Sequence, residues 1–497
     1  MAVTLTMGAS GLTALAYDGT DLLAQSNYPP TFVDLILTDA AGKTSRGVLK
    51  PKTVTDPVAN NVIETFPWGM AVVTYTAVAD TLHIDVSISN TSDETITHIW
   101  LYLLALQCPA PPVDKNFKRV GFNLDAPSSV FVDYGSGALA VVNEDVVKPL
   151  AVGLWPATNP AKAKWFVMLS TDPAHTVSKN WPPTPRPIAP GITDRYSISL
   201  RFGDAGNTEA RLSGDIFKLY AKAYPPLTFS NKPIAALNMT SRHRPILPKN
   251  PRGWFTASTQ VDVTTPAGVQ AFEAMLLSYA DGAIAEMTRV GAQGGIFWDL
   301  EGQEWDAAYI GDPMQAELCA PELRGVLDQF VAKFVDAGFR IGFCLRPQTF
   351  DLGTTTQTDG PDPGGVLFAK MEYAIKRWGA SLFYVDSDVV NGAITAAAAF
   401  EKLATAFPGV LIFPEWEATR HYAYTVPYNN SVAAIFGPPP EAMAVYPAAI
   451  CLIKVNDPTA AKYPGELAAA VKAGNILLWD GWYPHPAGDF VRQLYAE

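Results

Sequence analysis

What most constrains this chain is a change of period near its middle. From Pro233 onward, short apolar runs alternate with amphipathic helical patterns, and eight such runs fit within residues 233–497. The expected strands are 234–238, 295–300, 340–346, 382–387, 410–415, 432–436, 449–455 and 476–480. Strand–helix alternation of this count and length predicts a (β/α)8 barrel, whose usual size is about 250 residues. A doubly wound open sheet is the alternative, but no Gly-rich dinucleotide loop follows any of the strands.

Helix signals support the alternation. Thr265-Pro266 supplies an N-cap and a first-turn proline, Val269, Phe272, Leu276, Tyr279 and Met287 recur at helical spacing, and Gly291 follows. Pro321-Glu322 opens a second helix carrying Val326, Leu327, Phe330 and Phe334 on one face, with Gly338 at its end. The segments 366–378 and 394–407 repeat the theme.

Before residue 205 the pattern is different. Runs such as Thr31-Phe-Val-Asp-Leu-Ile-Leu and Leu82-His-Ile-Asp-Val-Ser-Ile alternate apolar and polar residues between turn signals, which predicts an antiparallel β-sandwich. Trp100-Leu-Tyr-Leu-Leu-Ala-Leu is continuous and predicts a central strand buried on both faces. The expected organisation is therefore a multidomain β plus α/β chain, with an N-terminal antiparallel β-sandwich (1–205), a helical linker (206–232) and a (β/α)8 TIM barrel (233–497).

Charge and composition narrow the function. A net charge of -12 with no standout Lys/Arg run argues against nucleic acid as a partner, because phosphate binding needs basic stripes, and no apolar stretch is long enough for a bilayer. The four cysteines, Cys108, Cys319, Cys344 and Cys451, are far apart and read as buried thiols. The N-terminus lacks a basic signal-peptide start, so the expected location is cytoplasmic, or packaged or exported by another route. Oligomeric state is not encoded in any visible pattern.

In a barrel of this kind the C-terminal strand ends and the following loops build the active site. Those positions are rich in acids beside indoles: Trp298-Asp299-Leu-Glu301, Arg346, Asp386-Ser387-Asp388, Glu415-Trp416-Glu417 with His421, Asn456-Asp457, and Trp479-Asp480-Gly481-Trp482. Acids accept hydroxyl hydrogens and indoles cover C–H faces, so the expected partner is a polyhydroxylated oligosaccharide or glycoside. Any single Asp after a strand can equally be a helix N-cap. Carboxylates such as Asp299, Glu301 and Asp388 can also hold Ca²⁺ or Mg²⁺, but no EF-hand spacing is present and no cofactor is expected. The histidines lack zinc-hydrolase spacing, with His243, His421 and His485 in different loops, and His243 and His421 read as substrate contacts or loop anchors. No G-x-S-x-G elbow is present.

Asp386 and Glu415 end successive strands about thirty residues apart, and two facing carboxylates are the minimal apparatus for cleaving a glycosidic bond. Ala337-Gly-Phe-Arg-Ile-Gly342-Phe, followed by Trp378-Gly379 and Val385-Asp386, resembles the α-galactosidase/α-glucosidase superfamily, glycoside hydrolase families 27, 31 and 36. That resemblance implies a nucleophile at Asp386 and a β-sandwich before the barrel. Those families place the second acid after strand six, where this chain has only Glu441 in a Pro-rich loop. An Asp on strand four with a Glu on strand five is instead similar to α-amylase-type enzymes and endo-α-N-acetylgalactosaminidases, which implies Glu415 as acid/base, with Glu417 as its rival. The expected chemistry is retaining hydrolysis of an α-linked glycoside. Asp299, Glu301, Arg346, Asp388, Glu417, His421, Asp457 and Asp480 are expected to contact substrate, with Trp298, Trp479 and Trp482 stacking on it. A transglycosylase, or a non-catalytic carbohydrate-binding or phage-tail-like structural protein, is the alternative. Several blocks, among them Lys249-Asn-Pro-Arg-Gly-Trp, also resemble uncharacterised bacterial sandwich-plus-barrel proteins.

Overall fold

The structure, a computed structural model, describes residues 2–9, 11–24, 29–56, 59–107, 129–156, 164–172, 185–241, 246–305, 309–430, 436–480 and 486–496. It divides into two compact units: Met1–Pro225 with Ala418–Arg420, and Pro226–Glu417 with His421–Glu497.

The first unit is built from antiparallel sheets. One has seven strands, in the order Ser129–Asp133, Gly137–Asn143, Thr193–Asp204, Thr81–Asn90, Gly69–Val78, Asn61–Phe66, Lys52–Asp56. Another has five, in the order Ala151–Pro156, Lys164–Ser170, Thr95–Gln107, Thr31–Thr38, Thr44–Arg46. Their alternate apolar residues share one core, in which Leu35, Ile99 and Leu101 meet Val73, Ile84 and Ile198. The Tyr75 hydroxyl crosses that core and donates to the Leu103 carbonyl at 2.7 Å. The run from Trp100 is indeed in a central strand, but only its second half, Leu103 to Leu106, is buried on both faces; Trp100 and Tyr102 are half-buried. The helix Glu209–Ala223, expected as a linker, packs Ile216 against Ala140 and Val142 of the seven-stranded sheet.

The second unit is a nearly closed barrel of eight parallel strands. They are β1 (Ile234–Asn238), β2 (Gly294–Trp298), β3 (Arg340–Leu345), β4 (Leu382–Val385), β5 (Leu411–Pro414), β6 (Tyr428–Asn430), β7 (Leu452–Val455) and β8 (Ile476–Trp479). The sixth strand differs from its expected position. It forms at Tyr428–Asn430, while residues 432–435 lie outside the described residues and Phe436 is in no strand. Within the sheet, β5 and β6 are the two ends. Across that seam the Val426 N–H donates to the Ile412 carbonyl at 2.9 Å.

Period-two alternation sorts the strand residues into two shells. Ile234, Ala236, Ile296, Trp298, Cys344, Leu382, Tyr384, Leu411, Phe413, Tyr428, Leu452, Ile476 and Leu478 fill the interior. Their neighbours Leu237, Phe297, Phe343, Phe383 and Ile412 face the surrounding helices, among them α1 (Pro266–Val290), α2 (Leu327–Asp336) and α3 (Pro363–Trp378). Local chemistry sets the ends of α1. The Thr265 hydroxyl accepts the Gly268 N–H at 3.1 Å, and Gly291 closes the helix in the left-handed region. The proline-led turn at Pro321–Leu323 is a separate 3-10 turn ahead of α2, not its first turn.

Gly342 on β3 shows how tightly the barrel closes. A Cβ there would lie 1.6 Å from the Leu382 carbonyl oxygen of β4. Gly342→Ala is expected to destabilise the protein by about 1–3 kcal/mol or more through overpacking. Thermal unfolding followed by the helical circular-dichroism signal checks this; an unchanged melting temperature would contradict the close approach.

Candidate active site

Leu345, Val385 and Pro414 are register partners across β3, β4 and β5. One step further along each strand stand Arg346, Asp386 and Glu415, with the inward parity of Cys344, Tyr384 and Phe413. The ladder persists past the regular strands: Asp386 N–H donates to Leu345 O at 2.8 Å and Glu415 N–H to Val385 O at 2.9 Å. The three side chains therefore form one row at the C-terminal rim, on strands about 4.8 Å apart.

The row is bonded together. Arg346 donates from Nε to Asp386 Oδ2 at 2.6 Å, and its Nη2 is 2.5 Å from the same oxygen. Its Nη1 donates to Gln357 Oε1 at 3.0 Å, and Nη2 also reaches Ser387 Oγ at 2.9 Å. Ser387, in the left-handed region at φ 51°, touches both carboxylates. Its N–H donates to Glu415 Oε2 at 2.9 Å and its hydroxyl lies 3.3 Å from Asp386 Oδ2. Among the described residues, the hydrogen bonds to the Asp386 carboxylate reach Oδ2 and not Oδ1.

Aromatic rings surround this row. Tyr384 lies 5.2 Å from Tyr428 and 5.3 Å from Trp298, the Lys454 ammonium sits 5.3 Å over the Trp298 ring, and the Arg346 guanidinium sits 5.7 Å over Tyr309. Burial, then the charges of Tyr428 and Glu415, raises the Tyr384 phenol. Burial raises Tyr309 and Tyr428 also, and both feel Asp386 and Asp480. Asp480 thus belongs to the same mouth. Burial pushes it up to about 6, with Lys454 acting the other way and Asp457 adding to the rise. Asp299 is buried at φ 59°. Its Oδ2 accepts from Gln303 at 2.7 Å and Thr240 at 3.2 Å, while Oδ1 has no hydrogen-bond partner among the described residues. Burial and then the Glu301 charge hold its carboxyl well above the usual range.

Other acids expected at the rim serve the backbone instead. Glu301 Oε1 accepts the Asp312 N–H at 2.5 Å, and burial pushes the carboxyl up to about 7. Asp388 is fully buried, accepts the Trp416 N–H through Oδ1 at 3.0 Å, keeps Oδ2 without a hydrogen-bond partner among the described residues, and is raised by that burial. Glu417 accepts the Thr425 hydroxyl at 2.8 Å and the Tyr428 N–H at 2.9 Å, and burial lifts it to about 8. Because β5 ends at Pro414, strand alternation does not carry on to position 417, and Glu417 does not stand beside Glu415 as a second free acid. His421 is buried with Nε2 2.8 Å from the Thr395 carbonyl and its ring against Phe400. Asp457 lies in the first turn of the helix Asp457–Lys462, just after the N-cap Asn456.

The indoles divide by parity. Trp298 points inward but is fully buried. Trp479 carries the outward parity of β8 and packs against Val290 and Val491, so it does not stack at the mouth. Trp482, His243, His485 and Cys108 lie outside the described residues. Lys454, Tyr309, Tyr384, Tyr428 and Ser387 were not singled out from sequence. Lys454 carried a readable signal: a cation at the same parity as Leu452 within an apolar strand. Among the described residues, no group of three or more His, Cys, Asp or Glu side chains is arranged to hold a metal ion, and no helix is long and apolar enough to cross a membrane.

A scan against protein-family models finds no match, and a search of curated proteins finds none. Solved structures do match over most of the chain. The galactosidase domain of the α-galactosidase–sucrose kinase AgaSK is 10% identical, with 93% of this chain and 73% of that one covered at a TM-score of 0.49. The α-N-acetylgalactosaminidase NagBb from Bifidobacterium bifidum, solved with GalNAc, is 11% identical, covering 99% and 92% at 0.49. An α-galactosidase from Lactobacillus brevis is 12% identical, covering 97% and 74% at 0.46. None of these TM-scores reaches one half.

Asp480 gives a pH test. Its folded value of about 6 exceeds the ordinary 3.8, so the folded state holds the proton more tightly than the unfolded chain. Its stabilising contribution is complete below the unfolded value and is lost as pH rises through about 6. Asp480→Asn is therefore expected to gain roughly 1–3 kcal/mol on the parent between about pH 4 and about pH 7. Melting temperatures at both pH values check this; a pH-independent difference would mean Asp480 titrates as an ordinary carboxyl.

Proposed function

We propose that this chain is a glycoside hydrolase that cleaves an α-linked glycoside with retention of configuration. The observation that carries the reading is the shared contact of Asp386 and Glu415 with Ser387, at the ends of register-paired strands. Neighbouring strands about 4.8 Å apart favour a carboxyl separation near the roughly 5–5.5 Å of retaining enzymes over the roughly 6.5–9.5 Å of inverting ones.

In the first step Asp386 Oδ1 attacks the anomeric carbon while Glu415 gives its proton to the departing glycosidic oxygen. The carbon–oxygen bond to the leaving group breaks as the bond to Asp386 forms. In the second step Glu415 takes a proton from water, whose oxygen displaces Asp386 and releases the sugar. Arg346 and Ser387 fix Oδ2 of the nucleophile, so that one oxygen is anchored and the other faces the substrate. Asp299 and Asp480, each with a buried oxygen lacking a hydrogen-bond partner among the described residues, are suited to accept sugar hydroxyls. The α-anomer follows the motif resemblance around Trp378-Gly379 and Val385-Asp386.

Turnover of a panel of aryl α- and β-glycosides, with the first-formed anomer followed by NMR, tests the assignment. Asp386→Asn is expected to abolish turnover. Glu415→Gln is expected to lower kcat by about 10²–10⁴-fold, with a smaller loss on substrates whose leaving group needs no proton. Unchanged turnover in both variants would remove the assignment, an inverted product would remove the double displacement, and sugar binding without turnover in the parent would identify a binding protein.

A further inference from the structure

Lys370 on α3 is only 1% exposed, yet it carries an ammonium group. Burying such a group is unfavourable unless its hydrogens are all engaged. Here they are. Nζ donates to the carbonyls of Arg346 at 2.8 Å, Gln348 at 2.8 Å and Gly311 at 3.0 Å, with Asp312 Oδ2 at 3.9 Å as counter-charge. Glu301 Oε1 in turn accepts the Asp312 N–H.

All three carbonyls border one corner of chain, Arg346-Pro347-Gln348, where β3 turns away from the sheet. That corner holds the two residues that follow β4, and reaches Glu415 after β5 through Ser387. The Arg346 side chain grips Asp386 Oδ2, and the Gln348 amide donates to the Ser387 carbonyl at 3.1 Å. Ser387 offers its own N–H to Glu415. The Gly311 carbonyl also accepts the Arg346 N–H at 3.1 Å, so the loop carrying Gly311 is fastened to the same corner.

We infer that Lys370 is a positioning residue for the acid pair: it fixes the Arg346–Gln348 corner and so sets where Asp386 and Glu415 stand relative to each other. This rests on the roles proposed for Asp386 and Glu415. Lys370 touches neither carboxylate and acts only through Arg346, Gln348 and Ser387.

The test is Lys370→Met in the full-length protein, with crystallography and steady-state kinetics on the same preparation. The expected result is a folded variant in which Arg346 no longer contacts Asp386, with kcat lowered about 10²-fold, the scale of a misplacement near 1 Å, and KM little changed. An intact Arg346–Asp386 pair in the variant, or a kcat loss matched by the loss of folded protein, would overturn the inference. Should Lys370→Met not fold, Gly311→Ala presses the same corner from outside, because its methyl would lie 2.6 Å from the Arg346 nitrogen. The same split of kcat from KM is expected there, and unaltered kinetics would overturn the inference. If the parent protein turns over no glycoside, the proposed function fails; the crystallographic comparison still decides whether Lys370 holds the corner.

Discussion

The site depends on the parallel ladder joining β3, β4 and β5. Because Leu345, Val385 and Pro414 are in register, the next residue on each strand leaves the sheet at the same height and on the same side. A one-residue slip would send every following side chain to the opposite face. The guanidinium and two carboxylates would then be separated between the barrel interior and the helical shell. Register thus does for these residues what a cofactor or metal does elsewhere: it brings groups distant in sequence into one small volume.

The acids of the rim differ in what holds them. Glu301, Asp388 and Glu417 each accept a backbone N–H, from Asp312 and Trp416 in loops and from Tyr428 at the start of β6. They tie loops to the barrel, and their carboxyls are raised because the surroundings are dry. Asp386 and Glu415 meet at Ser387, whose N–H Glu415 accepts, and Asp299, Asp388 and Asp480 each keep an oxygen without a hydrogen-bond partner among the described residues. A carboxylate at a strand end is therefore weak evidence of chemistry until its hydrogen bonds are known.

That difference explains what the sequence made legible. The two periods announced the antiparallel sheets and the parallel barrel, because side-chain alternation follows directly from backbone geometry. The row of Arg346, Asp386 and Glu415 was legible too, since each ends an apolar run. Position 417 was not, because alternation applies only while the strand lasts and β5 stops at Pro414. Trp479 illustrates the converse: its parity is outward, and the pattern Ile476-Leu-Leu-Trp-Asp480 shows no alternation because both faces are buried. Lys370 was hidden for another reason. A lysine in a helix usually faces solvent, and nothing local reveals that three carbonyls of a distant corner receive it.

The seam of the barrel gives the two catalytic candidates unequal mechanical support. Asp386 follows a strand laced on both flanks, by β3 and by β5. Glu415 follows a strand that ends the sheet, with the Val426–Ile412 hydrogen bond spanning to the other side. Thermal breathing concentrates where lacing is sparse, so the proposed nucleophile rides on a stiff mount and the proposed proton donor on a compliant one. An acid that must approach first a leaving oxygen and then a water gains from that compliance, whereas a covalent attachment point gains from its absence.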